Sequence, residues 1–155
     1  MIKQFVSSHF CLSCLGCCRF KEKNSAWSPH LLKSEQALGE QAVENICDPQ
    51  GEGFICASLD AKSRSCKIYQ KRPFECQLYP FLINSNSGKF YMALDLGCPF
   101  AKDNFQGSLY NEYIKYLKDF FNAAQQKNVL KNNPQLIQSY ENVKNVFELD
   151  ISWWN

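Results

Sequence analysis

The sequence has no apolar run approaching the roughly 20 residues of a membrane-spanning helix, so nothing in it asks for a bilayer. The N-terminus lacks the hydrophobic stretch of an export signal. Met1-Ile2-Lys3 carries a charge, but Gln4, Ser7, Ser8 and His9 interrupt any apolar run before Cys11. Charge of one sign is missing too. The 17 Lys+Arg and 15 Asp+Glu leave a net +2, too balanced to mark nucleic acid or an anionic membrane as a partner. There is no G-x-G-x-x-G, no Walker loop, no H-E-x-x-H, no G-x-S-x-G and no methyl-donor nucleotide fingerprint. With 2 histidines, a Cys–His nucleophile pair has little to draw on, and no catalytic residue is assigned. The expected compartment is the cytoplasm, where glutathione and thioredoxin keep thiols reduced.

What the sequence has in excess is cysteine, 9 in 155 residues. The number is odd and the compartment reducing, so clustered thiols point to metal or redox chemistry rather than to a disulfide framework. The 45% hydrophobic content, with 12 Phe, 7 Tyr and 3 Trp, is enough for a core that needs no staples. Length predicts one domain, 1–155, of an α-rich α+β class. The cysteines lie between residues 11 and 98. Residues 1–100 therefore read as a metal-binding region whose cysteine cluster is built by loops, and 101–155 as helical support.

Ser28-Pro29 reads as a cap and first helical residue. Leu31, Leu38, Ala42 and Ile46 then recur at helical spacing and predict a helix over 28–46, despite Gly39. Cys47 would end its apolar face as a packing residue. Residues 54–56 predict a short strand, 68–71 one helical turn stopped by Pro73, and 81–83 with 89–94 a hairpin around Gly88. Leu109, Tyr113, Leu117, Phe120 and Ala124 form a stripe that predicts a helix over 108–127, capped by Ser108. Pro134 predicts another, with Leu136, Tyr140, Val143 and Phe147 on one face. Trp153-Trp154 is read as a plug docking onto the body of the protein.

The chemical centre is Cys11-x2-Cys14-x2-Cys17-Cys18. Two intervening residues let a tight turn bring two sulfurs onto one ion, where Zn–S is about 2.3 Å. Gly16 is expected to supply a positive φ within that turn. Cys18 must point away from Cys17, toward a second site or another wall of the same one. The same spacing holds three corners of a cubane in bacterial ferredoxins, where the remote ligand is a cysteine followed by proline. By that analogy Cys98-Pro99 supplies a fourth corner, with Cys76 as its substitute. The second block, Cys56-x9-Cys66-x9-Cys76, is too widely spaced for a local knuckle and must be assembled by the fold. Lys62, Arg64, Lys67, Lys71 and Arg72 surround it in a stretch, 61–72, that contains no acid. Such cations stabilise an anionic thiolate centre and tune its potential. Tyr69 and Tyr79, with Pro80, are candidates for walls that keep water from it, with plain core packing as the alternative reading. His9 is taken as a surface residue and His30 as a structural one.

Together, Cys-x2-Cys-x2-Cys-Cys, Cys-x-Ile-Tyr-x2-Arg-Pro-x2-Cys-x2-Tyr-Pro and Cys-Pro resemble the YkgJ-type cysteine-cluster family, the zinc- or iron-chelating CxxCxxCC domain. The resemblance runs from Cys11 to Pro99. It implies Cys11, Cys14, Cys17, Cys18, Cys56, Cys66, Cys76 and Cys98 as the metal-binding set, with Cys47 outside it. It also implies small cytoplasmic proteins, and a similar domain accompanies flagellin lysine methylases, where a 4Fe–4S cluster is implied. Three readings follow. The first is a 4Fe–4S iron–sulfur protein for electron transfer or a redox step in protein modification. The second is a zinc-binding structural or protein-interaction module. The third is a thiol–disulfide oxidoreductase using Cys11 and Cys14. The expected partner is a protein or redox partner, with no nucleic acid and no membrane.

Overall fold

A computed structural model describes residues 2–14 and 16–150 of the chain. The chain is of the α+β class and divides into two units, 1–77 and 78–155. No helix among the described residues is long and apolar enough to cross a membrane. The Trp153-Trp154 pair lies outside the described residues.

The first unit opens with helix α1, Ser8–Ser13, where the Phe10 N–H donates to Ser7 Oγ at 3.4 Å in an N-cap bond. A 3-10 turn, Gly16–Cys18, leads into strand β1, Arg19–Phe20. Strands β2, Asn45–Cys47, and β3, Phe54–Cys56, complete an antiparallel sheet of order β1-β3-β2. Gly53, at φ +88°, has no room for a side chain: a Cβ there would stand 2.9 Å from the Phe20 carbonyl oxygen. Phe20, Ile55, Cys56 and Leu59 form the core of this sheet, with Cys18 and Phe54 packed against it. Helix α2, Phe74–Leu78, carries Cys76.

The helix expected over 28–46 does not form. Leu32 is extended, Lys33–Leu38 and Glu40–Ala42 are 3-10 turns, and Gly39 between them adopts φ +75°. Asn45 to Cys47 then pair with β3, placing Asn45 opposite Cys56. Asn45 is buried and its Nδ2 donates to the Lys23 carbonyl at 3.0 Å and to Ser28 Oγ at 2.6 Å. Those bonds favour the strand over the helical period of the apolar residues. Cys47 is therefore exposed at a strand end, not a helix-end packing residue.

The second unit is built on the expected hairpin, β4, Phe81–Asn86, and β5, Lys89–Leu94. Its two-residue turn, Ser87-Gly88, has φ +52° and +77°, the left-handed pair that suits the strand twist. Helices α3, Pro99–Asn104, α4, Ser108–Asn122, and α5, Ala124–Asn132, follow. The expected 108–127 helix is thus two. Gly107, not Ser108, occupies its N-cap, and Ala123 turns extended between α4 and α5. The break lets Leu130 reach the core at 3% exposure. The buried stripe of α4 is Tyr110, Tyr113, Leu117 and Phe121, and Leu109 is exposed.

The expected helix after Pro134 is also absent. Pro134–Leu136 is a single 3-10 turn, followed by β6, Ile137–Gln138, and β7, Lys144–Glu148. These strands extend the hairpin into a sheet of order β6-β4-β5-β7. Asn84 fixes the connection, donating to Asn145 Oδ1 at 3.0 Å and accepting from the Tyr140 N–H at 2.9 Å. The 101–155 segment is accordingly α-helical only as far as Asn132 among the described residues.

Candidate metal centre

Seven of the eight motif cysteines belong to the first unit, and Cys98 to the second. Cys11 lies in α1 and Cys14 is its C-cap, so the first C-x2-C spacing is written on a helical turn rather than a loop. The Cys14 N–H donates to the Cys11 carbonyl at 3.3 Å. Residues three apart on such a turn share a face. Gly16 does not take the positive φ expected of it. A Cβ at Gly16 would stand 3.7 Å from Cys14 Sγ, an ordinary contact, so the glycine leaves space beside that sulfur.

Cys17 and Cys18 follow in the 3-10 turn, Cys17 exposed and Cys18 half-buried against Cys56 and its core neighbours. Cys56 ends β3, buried, with Sγ 3.8 Å from the Ala42 carbonyl. Cys66 is bridged to Leu59 across a short antiparallel pairing, which folds the 59–66 segment back on itself. Cys76 sits in α2, just after the Pro73 that opens it.

These sulfurs act on one another. A hydrogen bond with Cys17, then burial, then repulsion by Cys17, Cys56 and Cys76 push the Cys18 thiol far above its ordinary pKa. Burial, joined by the charges of Cys17, Cys56, Glu75 and Cys66, pushes the Cys76 thiol well up. Burial also raises Cys56, against backbone donors at Ser58 and Leu59, and Cys66 and Cys17 add to the rise. Burial and Cys17 raise Cys11, but Arg72 and Tyr69 pull it back. Crowded, desolvated thiols of this kind stay protonated until a cation compensates their charge. The donor set therefore fits a thiophilic metal, whose binding would displace the protons. Among the described residues no three His, Cys, Asp or Glu side chains already stand at ligating spacing for one ion. The thiols share a neighbourhood without sharing a point.

Of the five cations in 61–72, four are at the surface and Arg72 alone turns inward, at 6% exposure. Its Nη1 donates to Cys11 Sγ at 3.4 Å, and its guanidinium carbon lies 3.9 Å over the Tyr69 ring. Tyr79 is in the second unit, its hydroxyl donating to Asp95 Oδ2 at 2.7 Å. Asp95 also accepts from the Gly97 N–H at 2.7 Å, and its carbonyl from the Cys98 N–H at 3.3 Å, so one aspartate organises the turn before Cys98. His9 is exposed.

Two glutamates escape a reading based on cysteine spacing. Glu35 accepts from the Leu32 and Phe74 N–H groups, at 2.9 and 2.8 Å. Glu75 accepts from the His30 N–H and lies 3.1 Å from His30 Nδ1. Both tie the 30–35 segment to the start of α2 and so to Cys76. An acid directly before a motif cysteine is the local sign of the second; the reach of Glu35 to α2 has none, since Phe74 lies 39 residues away.

Residues 10–99 match the CxxCxxCC family model, described as a "Putative zinc- or iron-chelating domain". An uncharacterized protein of Methanocaldococcus jannaschii is 33% identical over 67 residues, which cover 41% of this chain and 37% of that protein's length. No solved structure matches.

Proposed function

The chain belongs to the CxxCxxCC family of zinc- or iron-chelating domains, and from that premise we propose that thiols of its first unit hold a 4Fe–4S centre serving electron transfer or a redox step in protein modification. The observation that carries this reading is geometric: Cys11 and Cys14 share one helical turn, Cys17 and Cys18 follow on the next, and Cys18 packs against the core that contains Cys56; the charges of Cys17, Cys56, Cys66 and Cys76 acting on neighbouring thiols agree with it. Cys11, Cys14 and Cys17, on consecutive short turns, are the proposed first three corners. Cys76 is preferred to Cys98 as the fourth because it and Cys17 already act on each other. When bound, the cluster supplies a one-electron carrier whose potential follows its charge, hydrogen bonding and exposure. The chain's own residues supply the surroundings. Phe20, Ile55 and Leu59 keep the Cys18–Cys56 side dry, and Arg72 with Tyr69 holds the Cys11 side. The partner of such a centre is a redox protein.

The test is purification without oxygen. The reading predicts a brown protein whose broad visible absorption fades in air, with iron and acid-labile sulfide in equal amounts. A colourless protein carrying stoichiometric zinc and no sulfide would overturn the iron–sulfur assignment and make the chain a zinc module.

A further inference from the structure

Arg72 takes a full positive charge into the first unit, at 6% exposure. None of the ion pairs among the described residues includes it. Its buried Nε has no hydrogen-bond partner among them either. What the guanidinium does reach is the Tyr69 ring, 3.9 Å away, and Cys11 Sγ, 3.4 Å from Nη1. A desolvated cation without a carboxylate does not stabilise a fold; it needs an anion, and removing it in favour of an apolar side chain is commonly neutral or better. The acceptor within its reach is a sulfur.

We propose that Arg72 is the counter-ion and positioning residue of the metal centre: with Cys11 as an anionic ligand, the guanidinium offsets ligand charge, orients that sulfur, and so sets how tightly the metal is held. In an iron–sulfur cluster the same charge raises the reduction potential, because the reduced cluster is the more negative one. The inference rests on the reading of Cys11 as a metal ligand. Arginine suits the task where lysine does not. Its planar fork stacks on Tyr69, which fixes the orientation of the donors, and it gives up hydration more readily than an ammonium. The unpartnered Nε–H is explained on the same terms, as a donor left over for a second sulfur once the centre is loaded.

The experiment uses the full chain loaded with zinc alone, in competition with a chelator under anaerobic conditions, together with thermal melting of the metal-free chain. Arg72→Met should weaken zinc binding by about 10–100-fold, the usual effect of removing a group that orients a ligand. It should leave the metal-free melting temperature unchanged or raised, since an unpaired buried charge has gone. Arg72→Lys, which keeps charge without the fork, should fall between wild type and Met, and decides the matter alone if the Met variant does not fold. Unchanged zinc affinity in the Arg72 variants would overturn the proposal. So would equal destabilisation of the metal-free and zinc-loaded forms, the mark of an ordinary packing residue. Cys11→Ser separates the two levels. If it leaves zinc affinity unchanged, Cys11 is not a ligand and the underlying reading fails. If it weakens binding while Arg72→Met does not, only the role of Arg72 fails.

Discussion

Replacing Cys47 with alanine should leave metal content unchanged and shift stability by no more than about 0.5 kcal/mol, the range of a surface change away from any special feature. Cys47 is exposed at the end of β2, opposite Phe54, and it is not among the groups that shift Cys11, Cys18, Cys56 or Cys76. Cys17→Ala should instead lower metal content severely, because Cys17 acts on Cys11, Cys18, Cys56 and Cys76 alike. Elemental analysis of both variants, purified without oxygen, checks this; metal loss in the Cys47 variant would contradict it. At this scale the sequence is most informative, because a two-residue spacing is a short-range geometric statement. It puts Cys11 and Cys14 on one turn whatever the rest of the chain does. It says nothing of the tie from Glu35 to Phe74 or of the inward course of Arg72 to Cys11 against its four exposed neighbours, since those contacts are remote in the chain.

Among the elements, the tie between the 30–35 segment and α2 has a pH dependence of definite sign. The hydrogen bond to Glu75, outweighing burial, raises the pKa of His30 above its ordinary value. A raised folded-state value means that the stabilisation is fully present below the unfolded pKa of about 6.5 and is lost as pH rises through the folded one. Melting temperatures across that window should therefore fall more with rising pH in wild type than in His30→Gln. Identical slopes would remove His30 from the account. Elements were legible where the signal was local, as in the β4–β5 hairpin, whose Ser87-Gly88 turn dictates its own register. Periodicity misleads where apolar residues at helical spacing serve strands. In 28–46 the pairing of Asn45 with β3 prevails, and after Pro134 the two Asn84 bonds and the edge of β5 do. Both outcomes are tertiary pairings that periodicity cannot see.

The whole molecule divides at 77 and 78, where composition suggests a change near 100. The reason is that the hairpin beginning at Phe81 draws its sheet partners, β6 and β7, from the far end of the chain, past the last cysteine. The α+β class and the family are legible in the sequence; this division is not, because it depends on strand pairings between residues 50 or more apart in the chain. The central claim at this scale is that thiolates hold the metal. X-ray absorption at the metal edge of the full chain, purified without oxygen, tests it most directly. The account predicts a first shell of sulfur alone, at about 2.3 Å. A first shell of nitrogen or oxygen would contradict it.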